Sequence, residues 1–196
     1  MNINFHTINV PPKIVNGEIL LIILIFIIGI LLVLYFIWMI IPMISGLPWI
    51  PTRPARIHQA LTLAHISPGD ILYDLGAGDG RVLVMAAREF GARAIGIEIS
   101  PIHCIAARVN ALLKGVNNKV EIRWASFYND DFKDADVIFV YMTSRETARL
   151  RPHLERQLQP GTRVISISCE IAGWQPAEFN REELIYLYRM GSQSIN

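Results

Sequence analysis

The sequence predicts an α/β fold: a mostly parallel sheet, covered by helices and closed by a C-terminal antiparallel hairpin, with one apolar helix of membrane length ahead of it. Three observations carry this expectation. An almost wholly apolar run extends from Ile19 to Ile44, and no charged residue occurs between Glu18 and Arg53. From Ile71 onward, short apolar runs alternate with longer amphipathic stretches, the pattern of a parallel sheet buried on both faces. After Trp174 the alternation gives way to two short extended runs around a polar turn, which is a hairpin signal. A chain of 196 residues has room for one ordinary domain and an appendage. The expected organisation is a tail over residues 1–18, a transmembrane helix over 19–44, a linker over 45–54 and a folded domain over 55–196.

The apolar run comes first. About 20 apolar residues in helical form span the hydrocarbon core of a bilayer. A cleaved signal peptide is shorter, with an apolar region of roughly 7 to 15 residues behind a basic segment. Here the run begins late and only Lys13 precedes it, with Glu18 beside it. Tyr35 and Trp38 are expected towards one interface, and Pro42, Ser45, Gly46 and Pro48 mark the exit. Arg53 and Arg56 follow the helix, so the positive-inside comparison favours a single-pass protein with a cytoplasmic C-terminal domain.

Prolines punctuate G-L-P-W-I-P-T-R-P, residues 46–54, and exclude regular helix there. A short amphipathic helix fits Ala55 to His65, and Ser67-Pro68-Gly69-Asp70 turns the chain into the first strand. Strands are expected at Ile71 to Leu75, Ala94 to Ile99, Val120 to Ala125, Val137 to Met142 and Arg163 to Ser168. Helices are expected at Val82 to Phe90, Pro101 to Lys114 and Arg145 to Leu158. Pro101 suits a first helical turn, and Gly115 and Gly161 suit helix exits and turns. The hairpin runs from about Ala177 to Phe179, through Asn180 to Glu183, and back along Leu184 to Met190.

The formal charge of +1 gives no general electrostatic case for nucleic acid, whose binders usually carry a basic face, and leaves local patches open. The 52% hydrophobic content is high for a soluble domain, and the excess sits in the N-terminal run. Cys104 and Cys169 form no C-x-x-C pair and are expected as buried thiols. The histidines His6, His58, His65, His103 and His153 are scattered, so no metal site is expected.

Chemistry concentrates in I-L-Y-D-L-G-A-G-D-G-R, Ile71 to Arg81. An apolar strand ends in Asp74 and passes into Gly76, Gly78 and Gly80 before a helix. Glycine lets the backbone bend sharply against a ligand while the first helical amides point at it. Dinucleotide sites require G-x-G-x-x-G, and Arg81 stands where the third glycine would be. Glu98 ends the next apolar strand, about 20 residues on, where a carboxylate reaches ribose hydroxyls at the carboxyl edge of the sheet.

Through D-L-G-A-G-D-G-R and G-I-E-I-S-P, the chain from about Trp49 to Met190 resembles class I S-adenosylmethionine-dependent methyltransferases. Their Rossmann-like sheet also ends in an antiparallel hairpin. P-W-I-P-T, V-Y-M-T, L-R-P-H-L, P-G-T-R-V-I-S and G-W-Q-P resemble a narrower, membrane-anchored branch. It includes the ATP synthase c-subunit lysine methyltransferases and their prokaryotic relatives. The resemblance implies S-adenosyl-L-methionine as cofactor, with Gly76, Ala77 and Gly78 against its amino-acid end and Asp74 at its ammonium. It implies Glu98 on the ribose and Ile99 over the adenine. Many relatives place an acid after the third strand to meet the adenine amino group. Ser126 stands there in this chain, beside Phe127.

Methyl transfer from a sulfonium is an in-line displacement that depends on alignment and needs no metal. A lysine acceptor must be neutral, and an apolar wall favours that form. Tyr141, Met142 and Thr143 follow the fourth strand and are the candidates for that wall, with Tyr141 and Thr143 as catalytic candidates; Trp174 and Trp49 are further ones. The tether and the narrow resemblance together imply lysine methylation on a membrane protein. Methylation of a lipid or small molecule, and a non-catalytic scaffold with this fold, stay open. An NAD-dependent reductase is disfavoured by the glycine spacing.

Overall fold

The structure, a computed structural model, describes residues 15–44 and 51–191. The chain divides into two compact units, Met1–Pro48 and Trp49–Asn196.

In the first unit α1 spans Val15–Ile44. Within it, Gly17–Ile37 is a stretch of 21 residues, long and apolar enough to cross a membrane. At 1.5 Å per residue that stretch is about 30 Å, the thickness of a hydrocarbon core. Its side chains are exposed along their whole length, Leu20 and Phe26 at 69% and 70%. The helix starts four residues before the expected apolar run and continues past Pro42. The exit expected at Ser45, Gly46 and Pro48 lies outside the described residues.

In the second unit the elements follow the expected order to within a residue or two. They are α2 (Pro54–Leu63), β1 (Ile71–Leu75), α3 (Arg81–Glu89), β2 (Arg93–Glu98), α4 (Pro101–Leu113) and β3 (Val120–Trp124). Then come β4 (Val137–Val140), α5 (Ser144–Gln157), β5 (Arg163–Ile167), β6 (Glu178–Asn180) and β7 (Ile185–Arg189). The seven strands form one sheet in the order β3-β2-β1-β4-β5-β7-β6. The first five are parallel, and β7 enters antiparallel between β5 and β6. The chain therefore winds outward in both directions from β1 and β4, which creates a switch point at their carboxyl ends, where open α/β sheets bind ligands.

Helix boundaries follow local chemistry. Ser100 caps α4 by accepting from the amide of His103, and Pro101 occupies the first turn. At the other end Val116 N bonds back to Ala111 O while Gly115 takes φ +69°, a left-handed exit that glycine adopts without strain. Thr143 caps α5 through the amide of Glu146. One core layer joins Ile57 and Leu61 of α2 and Leu83 of α3 to Leu72, Val137 and Phe139 of the sheet. Gly96 of β2 lies at the tightest point of that contact. A Cβ there would meet Leu83 Cδ1 at 2.5 Å and the Ala77 Cβ at 2.7 Å. Only a hydrogen side chain lets α3 and the glycine turn settle on β2.

Candidate functional site

The turn after β1 is pinned from the neighbouring strand. Gly76 N and Ala77 N both donate to Ile97 O of β2, at 2.9 and 3.2 Å. Gly76, Gly78 and Gly80 have φ of +101°, +54° and +74°, conformations that side chains rarely tolerate. A Cβ on Gly76 would meet nothing within 4 Å, so this face of the turn opens outward. Gly80 instead faces Ala107 of α4 and is needed for packing. The glycines thus divide their work: Gly76 leaves room, and Gly80 admits a helix.

Two carboxylates flank the turn. Glu98, at the end of β2, accepts from Gly78 N at 2.9 Å through one oxygen and from Ser100 N at 2.8 Å through the other. These bonds fix its orientation and leave lone pairs for further donors. Asp74 is 4% exposed. Burial, then the charges of Glu98 and Asp79, push its carboxyl up to about 8. A buried acid in that state is poised to ionise when a cation arrives, because an opposite charge favours the ionised form.

A second layer steadies the loop. Arg81 grips both oxygens of Asp79, at 2.7 and 2.9 Å, and reaches Thr52 O at 2.9 Å. Burial pulls Asp79 upward, but its bonds to Arg81 outweigh that and hold the carboxyl below its ordinary value. Asn110 of α4 donates to Asp79 O. Arg56 bonds Glu183 O and, at 3.0 Å, Ser168 Oγ, while its guanidinium lies 5.8 Å from the centre of the Tyr141 ring. The start of the unit is thereby tied to the glycine turn and to the hairpin. The sequence assigns Asp79 no role, Arg81 only the place of a missing third glycine and Arg56 only a positive charge after the apolar helix; the one signal for the Asp79–Arg81 pair is an acid and a base two residues apart inside the motif.

The other expected residues gather at the same edge. Ile99 follows Glu98 and is 62% exposed. Ser126 and Phe127 follow β3, and β3 pairs with β2 so that Trp124 stands beside Glu98. The Ser126 hydroxyl accepts from Tyr128 N at 3.4 Å, and the Phe127 ring packs on Tyr128 at 4.6 Å. Tyr141 is half-buried after β4, Met142 is buried, and the exposed Thr143 accepts from Glu146 N at 3.4 Å through its hydroxyl. Trp174 departs from expectation. It is buried edge-on against Tyr188, and its N–H goes to Glu155, so its ring packs the fold. Trp49 lies outside the described residues. Cys104 is buried, its thiol pushed up by burial and by Glu98, and Cys169 is half-buried. A cavity of about 270 Å³ lined by Asp136, Thr162 and Arg163 sits at the opposite, amino-terminal end of the strands. Among the described residues no three His, Cys, Asp or Glu are placed to hold a metal ion.

Comparison with known proteins places this geometry. Residues 74–178 match the ANTKMT methyltransferase domain. A protein-lysine N-methyltransferase from Saccharolobus islandicus (strain REY15A) is 36% identical over 152 residues, covering 74% of this chain and 94% of its own. An ATP synthase c-subunit lysine N-methyltransferase from Xenopus laevis is 25% identical, over 74% of this chain; the chain spans 65% of that protein's length. Among solved structures, one described as an RNA methyltransferase from Salinibacter ruber, in complex with S-adenosyl-L-homocysteine, superposes with a TM-score of 0.72 at 36% identity. It covers 75% of this chain and 99% of its own.

Proposed function

The chain belongs to the family of the ANTKMT methyltransferase domain and is an S-adenosylmethionine-dependent methyltransferase, and from that premise we propose that it methylates lysine side chains of a membrane protein while held at the bilayer by α1. The observation that carries this reading is the edge constellation of Asp74, Gly76 and Glu98 in one chain with an apolar helix of membrane length. The tether acts through effective concentration, since a domain on a short linker meets membrane proteins far more often than free diffusion allows. The folded domain is then cytoplasmic, on the side favoured by Arg53 and Arg56.

The residues fit the cofactor. Asp74, buried and proton-retaining, would meet its ammonium; the open face at Gly76, with Ala77 and Gly78, would border its amino-acid end. Glu98 would take the ribose with lone pairs left over from its two amide bonds. Ile99 would cover the adenine, with Ser126 and Phe127 at its rim. When bound, S-adenosylmethionine supplies a methyl carbon that already carries its leaving group. What the chain adds is alignment and a dry approach. A lysine near its ordinary pKa costs about 4 to 5 kcal/mol to deprotonate at pH 7. Tyr141 and Met142 offer an apolar wall that lowers this cost by disfavouring the ammonium. Thr143, the second catalytic candidate, stands beside that wall, where its hydroxyl also caps α5.

An RNA substrate, as described for the Salinibacter ruber protein, gains no general electrostatic support from a net charge of +1. To test the proposal, the full chain is incubated with methyl-labelled cofactor and native membranes. Label is expected in a protein band, on lysine by mass spectrometry, and Glu98→Ala is expected to abolish it while leaving the protein membrane-bound. Label confined to lipid extracts or to RNA would overturn the substrate class.

A further inference from the structure

Helix α4 is built the wrong way round for a helix that only covers a sheet. Its inward face carries small residues, Cys104, Ala107 and Ala111, all buried. Its outward face carries the large ones. Ile102, Ile105, Val109 and Leu112 recur at steps of three and four, which places them in one stripe, and Leu113 adjoins it. Ile105 is 60% exposed, Leu112 63% and Leu113 77%. Trp124, at the end of the adjacent edge strand, is 68% exposed with its indole N–H already given to Ile99 O. Contiguous exposed apolar surface of this kind marks an interaction site. Ile99, before the helix, belongs to the cofactor edge rather than to this stripe.

The charges carried by α4 and the turns that flank it have one sign. No acidic residue occurs between Glu98 and Glu121, while Arg108, Lys114 and Lys119 are all exposed. A second copy docked face to face would set these cations against one another. The neighbouring sheet edge is also partly blocked, since Arg108 donates to Ile122 O of β3 at 3.0 Å, a carbonyl that an added strand would need. An apolar stripe with a basic border suits a surface that is apolar below and anionic above, which is the headgroup boundary of a bilayer containing acidic lipid.

We propose that the outward face of α4 docks on an anionic membrane surface, with the large aliphatic side chains among the acyl chains and Lys114 and Lys119 at the headgroups. This rests on the membrane reading of α1 and adds a second contact from the folded domain. Such a contact would set the orientation of the sheet's carboxyl edge, because α4 starts three residues after Glu98.

The test uses the full chain in vesicles of phosphatidylcholine and phosphatidylglycerol at 3:1. A photoreactive benzophenone residue replaces Ile105, Leu112 or, as a control on the hairpin turn, Arg181. Calorimetric binding of S-adenosyl-L-homocysteine verifies that each variant is folded. Flotation reports α1; lipid adducts in the floated protein report α4. Adducts at Ile105 and Leu112 are expected at least fivefold above those at Arg181, falling at least threefold in Lys114→Glu/Lys119→Glu and in vesicles of phosphatidylcholine alone. Floated protein with adducts no more frequent than at Arg181, adducts indifferent to the anionic lipid, or crosslinks between protein copies in their place would overturn the docking surface and leave the tether standing. Protein that fails to float would overturn the tether itself.

Discussion

At the scale of single residues, Asp74 is the most informative group. The folded, ligand-free protein holds its proton up to about pH 8, whereas an unfolded chain releases it near 3.8. Between those limits the folded state binds more protons. The stability Asp74 contributes is therefore full below about pH 4, falls across the interval and is lost as pH passes through about 8. Replacing the carboxyl by an isosteric amide removes the titration and the buried charge. Asp74→Asn is expected to melt at or above the wild-type temperature at pH 8.5, and to bind S-adenosylmethionine about 10- to 100-fold more weakly through loss of a charged hydrogen bond worth about 1.5 to 3 kcal/mol. Wild-type binding at pH 6.5 is expected to release a proton, read as a dependence of binding heat on the ionisation enthalpy of the buffer. Equal affinity of wild type and Asp74→Asn would remove Asp74 from the ammonium site.

At the scale of elements, the contact of α3 with β2 decides whether the glycine turn holds its shape. Gly96 opens the G-I-E-I-S-P motif inside a strand and touches no ligand group, yet the carbonyl of the next residue, Ile97, receives both amides of the turn. Gly96→Ala forces a methyl against Leu83 and Ala77, an overpacking that costs roughly 1 to 3 kcal/mol. Thermal denaturation is expected to show that loss, with cofactor affinity falling as well because the turn is displaced. A variant as stable as wild type would mean that α3 can shift freely on β2. The hairpin works at the same scale: β7 lies against β5, and the turn before it provides Glu183, which anchors Arg56 and the entry to α2.

At the scale of the whole molecule, the division of labour is between an apolar helix and a catalytic unit. If α1 crosses the bilayer, its middle is intolerant of charge, and each arginine at that depth costs about 2.5 to 3.5 kcal/mol of insertion free energy. Leu24→Arg/Ile28→Arg is expected to move the protein from the carbonate-resistant membrane fraction to the soluble one. Methylation of a membrane substrate should fall with it, while binding of S-adenosyl-L-homocysteine by the catalytic unit persists. Retention of the double variant in carbonate-washed membranes would argue against a spanning α1.

The sequence by itself determined the order of elements, the glycine turn, the acid at the end of β2 and the hairpin that closes the sheet. These are local properties. Periodicity, proline and glycine set strand and helix, and an acid ending an apolar strand can lie only at the sheet's edge. Tertiary structure decided what depends on residues distant in the chain. It put Trp174 into the packing beside Tyr188, tied Arg81 to Thr52 and Arg56 to Glu183, and made Gly96 a packing residue. It also turned the large side chains of α4 outward. An amphipathic pattern shows that a helix has two faces, but only the packed fold reveals that Cys104, Ala107 and Ala111 are buried, Ala107 against Gly80 and Ala111 beside Val84 and Ala87 of α3, and leave Ile105 and Leu112 facing out.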